Sequence, residues 1–219
     1  MKFETYAVAE IVDESEDVRT FKLARAGGPI PAYQPGHFFL MRLPGEGGKM
    51  LQRSYSAASH PSEPLLAFCI KLKGDFTHLL WKLQKGDTVE MDGPYGVFLL
   101  KPDDVERVFI GGGVGISALR SMVLQTVKEG KKACLFHSAR SQAGLIYFDE
   151  MKKLEQENPS FKFYPTLTCE ETPSGWPYSC GRVGVPMMKE KLSSLEGKTF
   201  YLCGSKEMAG QLADALMAA

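Results

Sequence analysis

The sequence has no excess of either charge: 26 lysines and arginines are matched by 26 aspartates and glutamates. A neutral chain sets up no global field to draw nucleic acid or an anionic membrane, so nucleic-acid binding is disfavoured from the start. Long apolar runs are missing too. No stretch approaches the ~18 residues that suggest a membrane span, and the N-terminus, MKFETYAVAE, lacks the apolar core of a signal peptide. Both absences lead to the expectation of a cytoplasmic protein without a membrane span. The five cysteines (Cys69, Cys134, Cys169, Cys180, Cys203) are odd in number and form no C-x-x-C pair. They indicate neither a disulfide framework nor a zinc or iron–sulfur site. His37, His60, His78 and His137 are equally scattered and read as surface or hydrogen-bonded structural groups.

What is present is an ordinary globular composition, 44% hydrophobic and 24% charged over 219 residues, enough chain for two small cores. The first hundred residues are strand-like: TYAVAEIV, VRTFKLAR, HFFLMRL, RSYSAAS, LLAFCIKL and DTVEMDGP are separated by Gly, Pro and charged turns. Short strands at that spacing predict a small antiparallel barrel or sandwich. One helix interrupts them in GDFTHLLWKLQKGD, with Leu79, Leu80 and Leu83 on its apolar stripe, caps at Asp75 or Thr77 and a stop at Gly86. After KPDDVE the texture changes to strands alternating with helices, from RVFIGGGVG to KEMAGQLADALMAA. That order predicts a parallel sheet with helices on both faces. The expected boundary lies near Lys101 to Glu106, giving domains 1–101 and 102–219.

Four short stretches carry candidate chemistry. In RSYSAAS the two-residue period places Arg53 and Tyr55 on one face of a strand, ~6–7 Å apart, with Ser54 and Ser56 on the other. A fixed cation beside a flat ring suits a ligand with an anionic part and a planar part, although the same pair also occurs on ordinary half-exposed strands. In FIGGGVGISALRSM a buried strand runs into glycines that open a helix, and Gly113, Gly115 and Ala118 fit G-x-G-x-x-A. Glycine permits the tight turn and lets a phosphate approach the backbone at the positive end of the helix. The acidic residue that NAD-specific folds place ~20 positions further on is replaced by FHSARS. Ser138 and Arg140 are compatible with a 2′-phosphate there, or Arg140 is a solvated loop residue, and Glu170 and Glu171 follow the third strand. GDFT, Gly74 to Thr77, is either a capped helix start or a further phosphate contact. In YLCGSKEM, Cys203 ends the last parallel strand on the same side as Gly113, where ligands of open α/β sheets bind; a buried structural cysteine is the alternative.

The order RSYS, GDFT, GPYG, GGGVG, YLCGS resembles the ferredoxin–NADP reductase superfamily, whose members join a flavin-binding β-barrel to a nicotinamide-nucleotide-binding α/β domain. The resemblance implies FAD and NAD(P)H as cofactors. It implies that Arg53 binds the flavin pyrophosphate, that Tyr55 packs on the isoalloxazine or ribityl, and that Ser56 lies near the flavin N5. Ile70, Lys71 and Leu72 run beside the flavin in such a protein, and Gly74, Phe76 and Thr77 hold its pyrophosphate from the helix end. Gly112, Gly113, Val114 and Gly115 cradle the nicotinamide dinucleotide, with Cys203 and Gly204 by the nicotinamide ring in a cleft shared by the domains. Two departures shape the expectation. Relatives commonly continue past the last helix into a final strand, whereas this sequence stops at Ala219, and no cysteine pattern for a fused iron–sulfur domain is present. The expected activity is hydride transfer from NAD(P)H to flavin, with electrons passed to a separate acceptor such as a ferredoxin, a flavodoxin or an oxygenase component. A partner-dependent electron-transfer subunit is the alternative. No general acid–base pair is needed for such chemistry and none is evident.

Overall fold

The computed structural model describes residues 2–168 and 174–219. Two compact units divide the chain, Met1–Lys101 with Arg120–Met122, and Pro102–Leu119 with Val123–Ala219.

The first unit is a six-stranded antiparallel sheet with one helix. Its strands are β1 (Glu4–Ser15), β2 (Val18–Arg25), β3 (Phe38–Pro44), β4 (Met50–Ser56), β5 (Leu66–Lys71) and β6 (Thr88–Tyr95), in the order β4-β3-β6-β1-β2-β5. The two edge strands meet where Ala58, just past β4, donates its N–H to the Ala67 carbonyl of β5 (2.8 Å), curling the sheet toward a barrel. Inward residues at period two, among them Phe21, Phe39, Met41, Phe68 and Ile70, fill the core. Helix α1 (Asp75–Trp81) is shorter than the sequence suggests. Its last turn tightens as Lys82 and Leu83 donate to the Leu79 and Leu80 carbonyls, so Leu83 reaches the core from a turn. The N-cap is Gly74 rather than Asp75 or Thr77. The Thr77 hydroxyl instead accepts the Lys73 N–H (2.6 Å) and donates to the Gly74 carbonyl (2.9 Å).

The second unit is a five-stranded parallel sheet ordered β10-β9-β8-β7-β11. Along the chain come β7 (Glu106–Gly112), α2 (Ile116–Lys128), β8 (Ala133–Ala139), α3 (Phe148–Glu157), β9 (Phe161–Leu167), β10 (Ser179–Cys180), α4 (Val185–Lys191), β11 (Lys198–Cys203) and α5 (Lys206–Met217). Val108, Ile110, Cys134 and Phe136 face Met188 of α4 and Leu212 of α5. On the other face a Cβ at Gly111 would lie 3.3 Å from Leu119 of α2. The two-residue β10 has no sequence signal of its own. Strand order reverses at β7: β8 to β10 extend to one side and β11 returns on the other, so the carboxyl ends of β7 and β11 flank a topological switch point. Among the described residues no helix is long and apolar enough to cross a membrane.

Candidate functional site

In the first unit the strand β4 pairs with β3 so that Arg53 lies opposite Met41 and Tyr55 opposite Phe39. Both partners are fully buried, so Arg53 and Tyr55 share the core-side face, while Ser54 and Ser56 belong to the other. The Arg53 guanidinium remains exposed. Its Nη1 donates to the Gln52 carbonyl (2.7 Å), and it has no carboxylate partner among the described residues. Burial pushes the Tyr55 phenol up to about 12, with Arg53 opposing, so the hydroxyl stays protonated and available as a donor. The Tyr55 ring sits 5.9 Å from that of Phe76, which joins β4 to the start of α1. Arg53, Tyr55 and the Gly74–Thr77 turn are therefore neighbours. Of the segment expected beside a flavin, Ile70 is buried in the core and Lys71 pairs with Asp17 (2.7 Å), while Leu72 donates its N–H to the Asp17 carbonyl (2.7 Å).

In the second unit the glycines after β7 form a 3₁₀ turn, Gly113–Gly115, leading into α2. Three glycines have no room for a Cβ as the structure stands, and at Gly115 the obstacle is backbone, whereas at Gly112 and Gly204 it is the far end of the flexible Met208 side chain. A Cβ on Gly115 would fall 2.2 Å from the Cys203 carbonyl oxygen, and Cβ atoms on Gly112 and Gly204 would lie 2.5 and 2.7 Å from the Met208 side chain. The β7 and β11 turns are thus locked together across the switch point. Gly113 is the opposite case: it adopts φ +51°, and a Cβ there would meet nothing within 4 Å. Open space beside this glycine is what a phosphate approaching the backbone needs. Burial pushes the Cys203 thiol up, so it stays protonated at neutral pH.

Behind the turn, Ser138, Arg140, Thr168, Arg182, Ser205 and Glu207 line part of a cleft of about 580 Å³. Arg140 and Arg182 are both exposed, and neither has a carboxylate partner among the described residues. Arg182 was not singled out by the sequence. The only hint is its place between Gly181 and Gly184, and the fold carries it from beyond β10 to the end of β8. Glu170 and Glu171 lie outside the described residues. His137, read from the sequence as a structural group, is fully buried and bonds the Gly113 carbonyl (3.1 Å). No group of three or more His, Cys, Asp or Glu side chains that could hold a metal occurs among the described residues.

Comparison with known proteins matches each unit separately. Residues 5–99 match the oxidoreductase FAD-binding domain, and residues 109–214 match the oxidoreductase NAD-binding domain. A component of the Na(+)-translocating NADH-quinone reductase of Pseudoalteromonas atlantica, one of that enzyme's subunits, is 28% identical over 174 residues, 71% of this chain and 43% of that protein. The chain spans less than half the length of the curated relatives it matches. Among solved structures, the Amycolatopsis cytochrome P450 reductase GcoB superposes with a TM-score of 0.86 at 27% identity, covering 99% of this chain and 66% of that one. A Neisseria gonorrhoeae ferredoxin NADP+ reductase with bound FAD and NADP has the same fold, with a TM-score of 0.84 at 24% identity over 100% of this chain and 92% of that one. With one domain model on each unit, the chain belongs to the oxidoreductases that join an FAD-binding domain to an NAD-binding domain, and it has the fold of a ferredoxin NADP+ reductase.

Proposed function

We propose that the chain is an NAD(P)H-dependent flavoprotein reductase of the cytoplasm that transfers hydride from the nicotinamide to FAD and passes the electrons to a separate acceptor. The observation that carries the reading is the pair of built sites in one chain: a guanidinium with no carboxylate partner among the described residues beside a half-buried tyrosine in the FAD-binding domain, and an open glycine turn locked against Cys203–Gly204 in the NAD-binding domain. Bound FAD would supply the redox chemistry, and the chain's own residues bind and orient. Arg53 supplies paired donors to the pyrophosphate, assisted by backbone N–H groups at the start of α1. The protonated Tyr55 would offer its ring to the flavin and its hydroxyl as a donor, and Ser56, at the end of the same strand, would be the hydroxyl available to the flavin ring. The backbone of Ile70–Leu72 lines the flavin edge. Gly112–Gly115 admit the dinucleotide phosphates, Ser138, Arg140 and Arg182 favour a 2′-phosphate, and Cys203 with Gly204 sets the depth of the nicotinamide. As a protonated thiol, Cys203 acts through its shape, not as a nucleophile.

A second reading, a protein that works only inside a larger assembly, is favoured by the relatives named as components of the quinone reductase, of which the chain spans less than half. The two readings separate in one assay, NADPH-dependent reduction of ferricyanide by the purified, FAD-loaded chain. Turnover that is lost in Arg53→Ala at limiting FAD supports the reductase, and no turnover with FAD bound supports the assembly-dependent component.

A further inference from the structure

His137 lies next to the end of the β8 register, paired with Gly111 across β7, and its imidazole is fully buried. Its Nε2 is 3.1 Å from the Gly113 carbonyl oxygen, which can only accept, so the ring is the Nε2–H tautomer. Nδ1 then carries a lone pair with no hydrogen-bond partner among the described residues. Burial pushes the imidazole down to about 4, so it is neutral in the physiological range. A buried acceptor without a donor is costly, and an apolar ring of the same shape would avoid the cost. The one bond that this ring does make is to the residue at the centre of the glycine turn.

That bond has a directional consequence. Gly113 has φ +51° and no Cβ to restrict it, so the orientation of its peptide is set by the bonds that its carbonyl accepts rather than by a side chain. The Gly113 carbonyl also accepts the Ile116 N–H at the start of α2. The peptide bond is planar and trans, so holding this oxygen toward β8 and α2 turns the Val114 N–H to the opposite side, the open mouth of the helix. A rotated peptide would present an oxygen there and repel an anion.

We propose that His137 is a positioning residue for the nicotinamide dinucleotide: its Nε2–H holds the Gly113 carbonyl and so keeps the Val114 N–H turned to the phosphate side of the turn. The proposal rests on the reading of Gly112–Gly115 as the dinucleotide site. Calorimetric titration of the FAD-loaded chain with NADP+, beside thermal melting, tests it. His137→Phe keeps the shape and removes the donor, and should weaken NADP+ binding roughly 3- to 10-fold while the melting temperature holds or rises. His137→Gln places an amide N–H near the Nε2 position and should bind within about 2-fold of wild type. His137→Asn carries the same amide too short to reach and should behave like His137→Phe, which keeps the test open if the phenylalanine variant does not fold. Gly113→Ala, with its methyl in the open space, checks the turn itself. If Gly113→Ala weakens NADP+ while all three His137 variants bind like wild type, the positioning role is wrong and the turn reading stands. If Gly113→Ala also binds like wild type, the turn reading fails and the proposal with it. If affinity and melting temperature fall together in all three His137 variants, glutamine included, His137 is merely structural.

Discussion

Arg53 holds its guanidinium in solvent, bonded among the described residues to the carbonyl of the residue before it and to no carboxylate, which leaves its charge available to a pyrophosphate. Removing a charge-assisted bond to such a group costs about 1.5–3 kcal/mol, and Arg53→Ala should weaken FAD binding roughly 10- to 150-fold in a fluorescence titration. Wild-type affinity would remove Arg53 from the flavin site. Arg140 and Arg182 extend the same logic to the second domain, where two cations without a carboxylate partner among the described residues line one cleft with a carboxylate, Glu207. Either alanine variant should lower the preference for NADPH over NADH by about 10-fold, measured as the ratio of kcat/KM values, with NADH kinetics little changed. Equal losses for both nucleotides would make the arginines structural. Arg53 and Arg140 could be singled out as candidates because each sits in a short motif. Arg182 and Met208 could not, and His137 could be read only as a structural group, because their relevance depends on which strand end the topology brings them to.

At the scale of elements, the strand–turn–helix of β7, the glycines and α2 could be read locally, since buried strand, glycines and amphipathic helix follow one another within about twenty residues. The end of α1 could not, because Leu83 continues the apolar stripe while the backbone has already left the helix. The tight approach of the β7 and β11 turns is likewise tertiary: nothing near Gly115 in sequence announces the Cys203 carbonyl. Gly115→Ala sets a methyl against backbone at 2.2 Å, where no side chain can yield, and should cost about 1–3 kcal/mol of stability together with nucleotide binding. Gly204→Ala meets only the flexible Met208 and should cost less in the same denaturation experiment. The β8 end adds a pH dependence. The His137 pKa is lowered from 6.5 to about 4 in the folded chain by burial, against the opposing Gly113 bond, so between those values the unfolded chain binds more protons. This contribution to stability is complete above about pH 6.5 and is lost as pH falls toward about 4, and it amounts to about 2 kcal/mol between about pH 7 and about pH 4.5. Denaturation at the two pH values should show that loss in wild type and not in His137→Phe; equal losses in both would assign the acid sensitivity elsewhere.

For the molecule as a whole, the antiparallel sheet with one helix followed by a parallel sheet is the architecture that strand spacing and the later βαβ alternation predicted, and the two domain models fall on the two units. The neutral overall charge leaves no broad field for steering a partner, so a protein acceptor would have to be recognised by local surface. What the chain does with two cofactor-binding domains is a question for one measurement. The FAD-loaded chain, free of oxygen and of any acceptor, is titrated with NADPH and separately with NADH while the visible flavin absorbance is followed. The oxidised flavin band should bleach with about one equivalent of nucleotide, faster with NADPH than with NADH. An absorbance that stays at the oxidised level while calorimetry shows the nucleotide bound would contradict hydride transfer to FAD.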